Sequence, residues 1–137
     1  MSVKHFMAKK VITVELDTTV KRIKEIFHDL AIHHVIVVEG NEIKGVISDR
    51  DVLRCISPYI GTVSETERDT YTINKKAHQI MSRHVIKIDQ DTPIREAAKL
   101  MLAKHVGCLP VTDYRGTLVG ILSWKDILGA IAGEDSK

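Results

Sequence analysis

The sequence predicts an α/β fold of the α+β kind, built from two copies of one strand-helix-strand-strand-helix unit. Three observations support it. Gly45-Val46-Ile47-Ser48-Asp49-Arg50-Asp51 returns as Gly120-Ile121-Leu122-Ser123-Trp124-Lys125-Asp126, with Gly, Ser and Asp at the same spacing. The match extends well beyond that stretch, since Met7, Val11-Ile12, Asp17-Thr18 and Val37 align with Met81, Val85-Ile86, Asp91-Thr92 and Val111. Within each copy the apolar pattern switches between the two-residue period of strands and the 3.6-residue period of helices. One residue is added in the second copy at the hairpin, where an insertion costs least.

Taken in order, residues 11–14 form a short β-branched strand, and Asp17-Thr18-Thr19 supplies the cap of a helix. Val20, Ile23, Phe27 and Leu30 recur at helical spacing as its buried face, with Lys21, Arg22, Lys24 and Glu25 outside. Residues 35–38 and 43–47 are apolar runs joined by Glu39-Gly40-Asn41, a hairpin. The second copy repeats the scheme. Thr92 caps and Pro93 takes the first helical position, while strands at 109–111 and 118–122 join through Asp113-Tyr114-Arg115-Gly116. Pro110 inside a strand implies an edge, or a rim where no ladder amide is needed. Ser57-Pro58 stops the last helix of the first copy, and residues 61–72 are polar enough for a solvated connection. Residues 74–81 read as a helical turn leading into the second copy, as residues 3–7 do before the first.

The expected organisation is therefore a first repeat at 1–57, a linker at 58–73, a second repeat at 74–132 and a frayed tail at 133–137. Each repeat has about 50 to 60 residues, a size at which a lone core is marginal, so the halves should pack together.

Ser48 and Ser123 each end an apolar run three positions before an acid, Asp51 or Asp126, at the start of a helix. This is the pattern of a capping box. The same geometry gives a ribose or phosphate site, because free amides attract phosphate and a fixed carboxylate accepts two hydroxyls. Both readings stand.

Composition limits the alternatives. A chain of 137 residues with 44% apolar and 28% charged residues is an ordinary globular one, and no apolar run reaches a membrane span. Net charge +2, evenly spread, gives no reason to expect nucleic acid or a membrane surface. No secretory signal pattern opens the sequence, which places the chain in the cytoplasm. Cys55 and Cys108 lie far apart in apolar contexts and read as buried thiols. The seven histidines lack Cys, Asp or Glu at ligand spacing, so no metal is expected. Trp124 reads as a core anchor or subunit contact, and Met7 and Met81 as gap-fillers beneath the sheets. An enzyme is not expected, because no nucleophile has a recognisable base and the two acids belong to separate halves.

The duplicated unit, with Asp-Thr before its first helix, Leu109-Pro110-Val111 in its second strand and Gly-x-x-Ser-x-x-Asp at its last helix, resembles a CBS-domain pair, or Bateman module. The connecting stretch is also similar to stand-alone members associated with acetoin utilisation. The resemblance implies two repeats related by a pseudo-two-fold axis, with clefts for an adenosine compound such as AMP, ADP, ATP, NAD or S-adenosylmethionine. It maps the ribose-binding acid onto Asp51 and Asp126, and the phosphate-side hydroxyl onto Ser48 and Ser123. It sets Asp126 against residues 8–12, including Ile12, and against His33 and His34. It sets Asp51 against residues 82–86, including Ser82 and Ile86, and against His105. In some members basic residues at the three histidine positions contact phosphate; Gly107 departs from that pattern. The resemblance implies no obligatory cofactor, a homodimer formed through the helices, and a separate regulated protein. A ligand-free dimerisation or protein-interaction module is the alternative.

Overall fold

The structure, a computed structural model, describes residues 1–56 and 62–133, without the side chains of 68 and 69. The stop expected at Ser57-Pro58 and the tail beyond residue 133 lie outside the described residues. The chain forms two compact units, one of Ile12–His84 and one of Met1–Val11 with Val85–Lys137.

In the first of these, β1 (Thr13–Glu15) leads through α1 (Val20–Leu30) to β2 (His34–Glu39), which turns at Gly40 into β3 (Glu42–Ser48) and α2 (Asp49–Cys55). The sheet order is β1-β2-β3, with β1 parallel and β3 antiparallel to β2. Gly40 has φ of 60°, the left-handed conformation that a tight hairpin turn asks of glycine. Thr19 caps α1, its hydroxyl accepting from the Arg22 amide at 3.2 Å. Val20, Ile23 and Phe27 are buried as expected. Leu30 is 50% exposed, because it stands in the last turn, next to Ala31, which ends the helix in the left-handed conformation.

The stretch expected as a solvated connection contains a helix, α3 (Glu67–Ile73), which lies beside α1. The Cys55 thiol donates to the Thr72 carbonyl at 3.4 Å. Next comes the helical turn α4 (Ala77–Ile80), anchored by Ala77 N to Thr18 O at 2.8 Å and Val20 N to Lys75 O at 2.8 Å. Its Ala77 and the following Met81 are buried in the core formed by Val14, Val20, Ile23, Phe27, Val35, Val37, Ile47 and Val52.

The other unit holds β4 (Ile88–Asp89), α5 (Ile94–Lys104), β5 (Cys108–Thr112), β6 (Leu118–Ser123) and α6 (Trp124–Gly133), with sheet order β4-β5-β6. The short 3-10 turn Val3–His5 joins it, and Val3 is fully buried among Ile88, Ile94, Ala97, Met101, Leu109, Val111, Leu122 and Ile127. The leading segments have thus changed places. Residues 3–7 complete the core of the second repeat, and residues 77–81 that of the first.

Two details of the second repeat differ from expectation. Pro93 is the N-cap of α5 and not its first helical residue, and the free Ile94 amide donates to Met1 O at 2.9 Å. Pro110 lies in the central strand, not at an edge. The amide it lacks is one that the first repeat uses. The equivalent residue of the first repeat, Ile36, donates to Ile12 O at 3.2 Å, a bond that proline cannot make. Pairing therefore starts one residue later, at Ile88 with Val111, and β4 has two residues where β1 has three.

Candidate functional site

At both strand-to-helix junctions the capping box forms. The Ser48 amide donates to Asp51 Oδ2 at 2.8 Å, and the Asp51 amide returns to Ser48 Oγ at 3.2 Å. In the second repeat the Ser123 amide donates to Asp126 Oδ2 at 2.8 Å and the Ser123 hydroxyl to the same oxygen at 3.1 Å, with the Asp126 amide 3.4 Å from Ser123 Oγ. All four residues are partly buried. The box uses one carboxylate oxygen. Oδ1 of Asp51 and of Asp126 makes no hydrogen bond to any described residue, so each junction presents a fixed carboxylate with spare accepting capacity.

What brings the chain close to each junction is the glycine that opens the repeated motif. A Cβ on Gly45 would lie 2.6 Å from Met81 Sδ and 2.8 Å from Ser82 O, and one on Gly120 would meet Met7 Sδ and lie 3.0 Å from Ala8 O. Ser82 and Val46 exchange backbone bonds of 2.9 and 3.1 Å, and Ala8 and Ile121 bonds of 2.9 and 3.0 Å. Glycine, methionine and the leading segment thus form one contact, made twice. Both pairs of aligned residues were visible in the sequence, but nothing in their spacing connected Met7 to Gly120.

In the Ile12–His84 unit His33 and His34 stand near the start of α2, which carries Asp49 and Asp51, whereas Ser82 pairs with Val46 and Ile12 O accepts from the Ile36 amide. His33 Nδ1 lies 2.9 Å from Asp49 Oδ2, and its carbonyl accepts from the Asp49 amide at 2.9 Å. Sequence reasoning missed this pair, because residues sixteen apart in different elements follow no local rule. His34 stands opposite Ser48 in the β2–β3 ladder. Burial lowers its pKa, opposed by Asp49 and Asp51 and assisted by His33, which favours the neutral ring at neutral pH.

The second repeat keeps the backbone bond, Trp124 N to Gly107 O at 3.1 Å, and has no titrating side-chain pair there. Trp124 is 52% exposed, which removes the core-anchor reading. Cys108 occupies the place of His34 and is buried, which pushes its thiol up to about 12. Burial also raises Cys55, with Lys75 opposing. His105 is exposed at the C-cap of α5 in the left-handed conformation, and Ile86 is partly buried before β4. Among the described residues, no group of three or more His, Cys, Asp or Glu is placed to hold a metal ion, and no helix is long and apolar enough to cross a membrane.

The family model for the CBS domain matches the chain twice, at residues 3–58 and 77–133. A CBS domain-containing protein of Dictyostelium discoideum is 35% identical over 128 residues, covering 92% of this chain and 88% of that protein. Further curated relatives are longer, and the chain spans 21% to 46% of their length. Among solved structures, a CBS domain pair in complex with 5-methylthioadenosine and S-adenosyl-L-methionine superposes with a TM-score of 0.80 at 23% identity, covering 98% of each chain. CBSX2 in complex with AMP gives 0.79 at 24%, again covering 98% of each. A protein named for acetoin utilisation (AcuB) from Vibrio cholerae gives 0.78 at 22%, over 100% of this chain and 97% of that one. At these identities the structures establish a shared fold.

Proposed function

The chain belongs to the CBS-domain family and carries two copies of that domain, and from that premise we propose that it is a regulatory module, without catalysis of its own, that senses an adenosine-containing ligand. The observation that carries this reading is the spare Oδ1 of Asp51 and Asp126, each held by a capping box at the end of a strand. A carboxylate fixed in that way accepts from both hydroxyls of a ribose without having to be ordered first. The adenosine compounds bound by the solved relatives named above supply the ligand class. AMP, ADP, ATP, NAD and S-adenosylmethionine all carry that ribose. A thermal-shift panel of the five tests the proposal, since a ligand that binds the native state raises its melting temperature, by an amount that grows with concentration. No shift with any of them at millimolar concentration would leave the module without its ligand.

Exposed apolar side chains favour a second reading, self-association. Trp124, Leu128 and Ile131 lie on one face of α6 at 52%, 53% and 63% exposure, and Leu53 of α2 is 76% exposed. A two-fold homodimer through these helices would cover them. Sedimentation at tens of micromolar should then give a dimer, and Leu128→Glu with Ile131→Glu a monomer that still responds to the ligand panel.

A further inference from the structure

The two capping boxes differ in what their serine hydroxyls do. Ser123 Oγ donates to Asp126 Oδ2 at 3.1 Å, beside the Ser123 amide at 2.8 Å, so that carboxylate oxygen carries two bonds from its own serine. The second box also has the longer cap bond, 3.4 Å from the Asp126 amide to Ser123 Oγ. In the first box Ser48 Oγ accepts from the Asp51 amide at 3.2 Å, and its own proton goes to no described residue. Asp51 Oδ2 carries a single bond, from the Ser48 amide at 2.8 Å.

Resting on the reading of both junctions as ribose-binding carboxylates, we infer that Ser48 is a ligand-contacting donor and Ser123 is not. The first junction offers a ligand a spare carboxylate oxygen and a spare hydroxyl proton, the second only the carboxylate oxygen. What Ser48 meets is an acceptor oxygen of the adenosine compound, on its ribose or on its 5′-phosphoryl group. A serine hydroxyl has one proton to give and two lone pairs that accept. At Ser48 a lone pair serves the cap, and a ligand oxygen can take the proton without breaking any bond within the described protein. At Ser123 the proton already lies in a bond to a charged acceptor, the stronger class of hydrogen bond, and a ligand oxygen would have to displace it for an equal or weaker one. The Ser123 hydroxyl therefore steadies its own carboxylate instead of reaching outward.

Calorimetry with AMP on full-chain variants tests this one junction at a time, with Asp126→Asn weakening the second so that the first is read, and Asp51→Asn the reverse. Adding Ser48→Ala to Asp126→Asn should weaken AMP by roughly two- to tenfold, the value of one neutral hydrogen bond, and Ser48→Thr in the same background should keep the affinity. Adding Ser123→Ala to Asp51→Asn should cost less than about twofold, because the hydroxyl removed faces the protein. Each alanine also removes a cap, so that loss is common to both and the ligand contact is what differs. If an alanine variant does not fold, glycine at the same position caps nearly as well and gives the same reading. Adenosine in place of AMP then locates the oxygen: a Ser48 loss that persists puts it on the ribose, and one that disappears puts it on the phosphoryl group. Equal losses at the two serines, a larger loss at Ser123, or no loss at Ser48 would overturn the inference while AMP binding left the adenosine reading standing. No AMP binding to the parent chain would defeat that reading, and this inference with it.

Discussion

Gly45 and Gly120 show how one missing methyl group sets the geometry of a site. Each lets a methionine and a backbone carbonyl lie against the strand three residues before the serine that opens the capping box. Gly45→Ala cannot be absorbed by the flexible methionine alone, because Ser82 O, a backbone atom, also stands 2.8 Å from the new Cβ. The cost should be about 1–3 kcal/mol, the usual range for overpacking. Gly129 is the control. It lies inside α6, and a Cβ there meets nothing within 4 Å, so Gly129→Ala should stabilise by roughly 0.5–1 kcal/mol from helix propensity. Chemical denaturation of the two variants checks both signs. Equal effects would mean that the close approach at Gly45 has no energetic weight.

At the scale of elements, the leading segments are the part of the structure most open to test. Val3 is fully buried in the second repeat's core, and residues 3, 4 and 8 donate backbone bonds to Thr92, Gln90 and Ile121. Loss of Val3 burial alone costs about 1.5–3 kcal/mol, against a typical total of 5–15. Deleting residues 1–10 should therefore increase hydrogen exchange at Leu109 and Val111 while Val35 and Val37 keep their protection. Unchanged exchange at Leu109 would show that the segment is dispensable. Most elements were legible in the sequence, because the repeat let each half confirm the other and the caps and apolar periods agreed. Thr19 was readable as a cap since its hydroxyl acts locally. The exchange of leading segments was not readable, because local pattern identifies a helical turn but not the core it joins. For Pro110, the sequence showed that an amide was missing. It did not show that a central strand could tolerate this by shortening its neighbour. The helix at Glu67–Ile73 was hidden by its polar composition.

For the whole molecule, duplication gives the same scaffold two surroundings. Both repeats build the same capping box, and both leave one carboxylate oxygen unused by described residues. The surroundings differ, with His33, His34 and Asp49 at the first and Gly107, Cys108 and Trp124 at the second. The candidate site residues Ser48, Asp51, Ser123 and Asp126 were legible from their repeated spacing. Their hydrogen-bond geometry was needed to show that capping occupies only one oxygen. The central claim, that this carboxylate receives a ribose, is tested most directly by calorimetry of AMP and 2′-deoxy-AMP on the parent chain and on Asp126→Asn. The variant keeps a side-chain oxygen for the cap and loses the charge, so binding should suffer more than folding. A hydrogen bond to a charged group is worth about 1.5–3 kcal/mol, so each single change should weaken binding by roughly ten- to 150-fold. Together they should cost little more than either alone, because both remove the same contact. Penalties that simply add would mean that Asp126 and the 2′-hydroxyl do not meet, and that the carboxylate serves only as a helix cap.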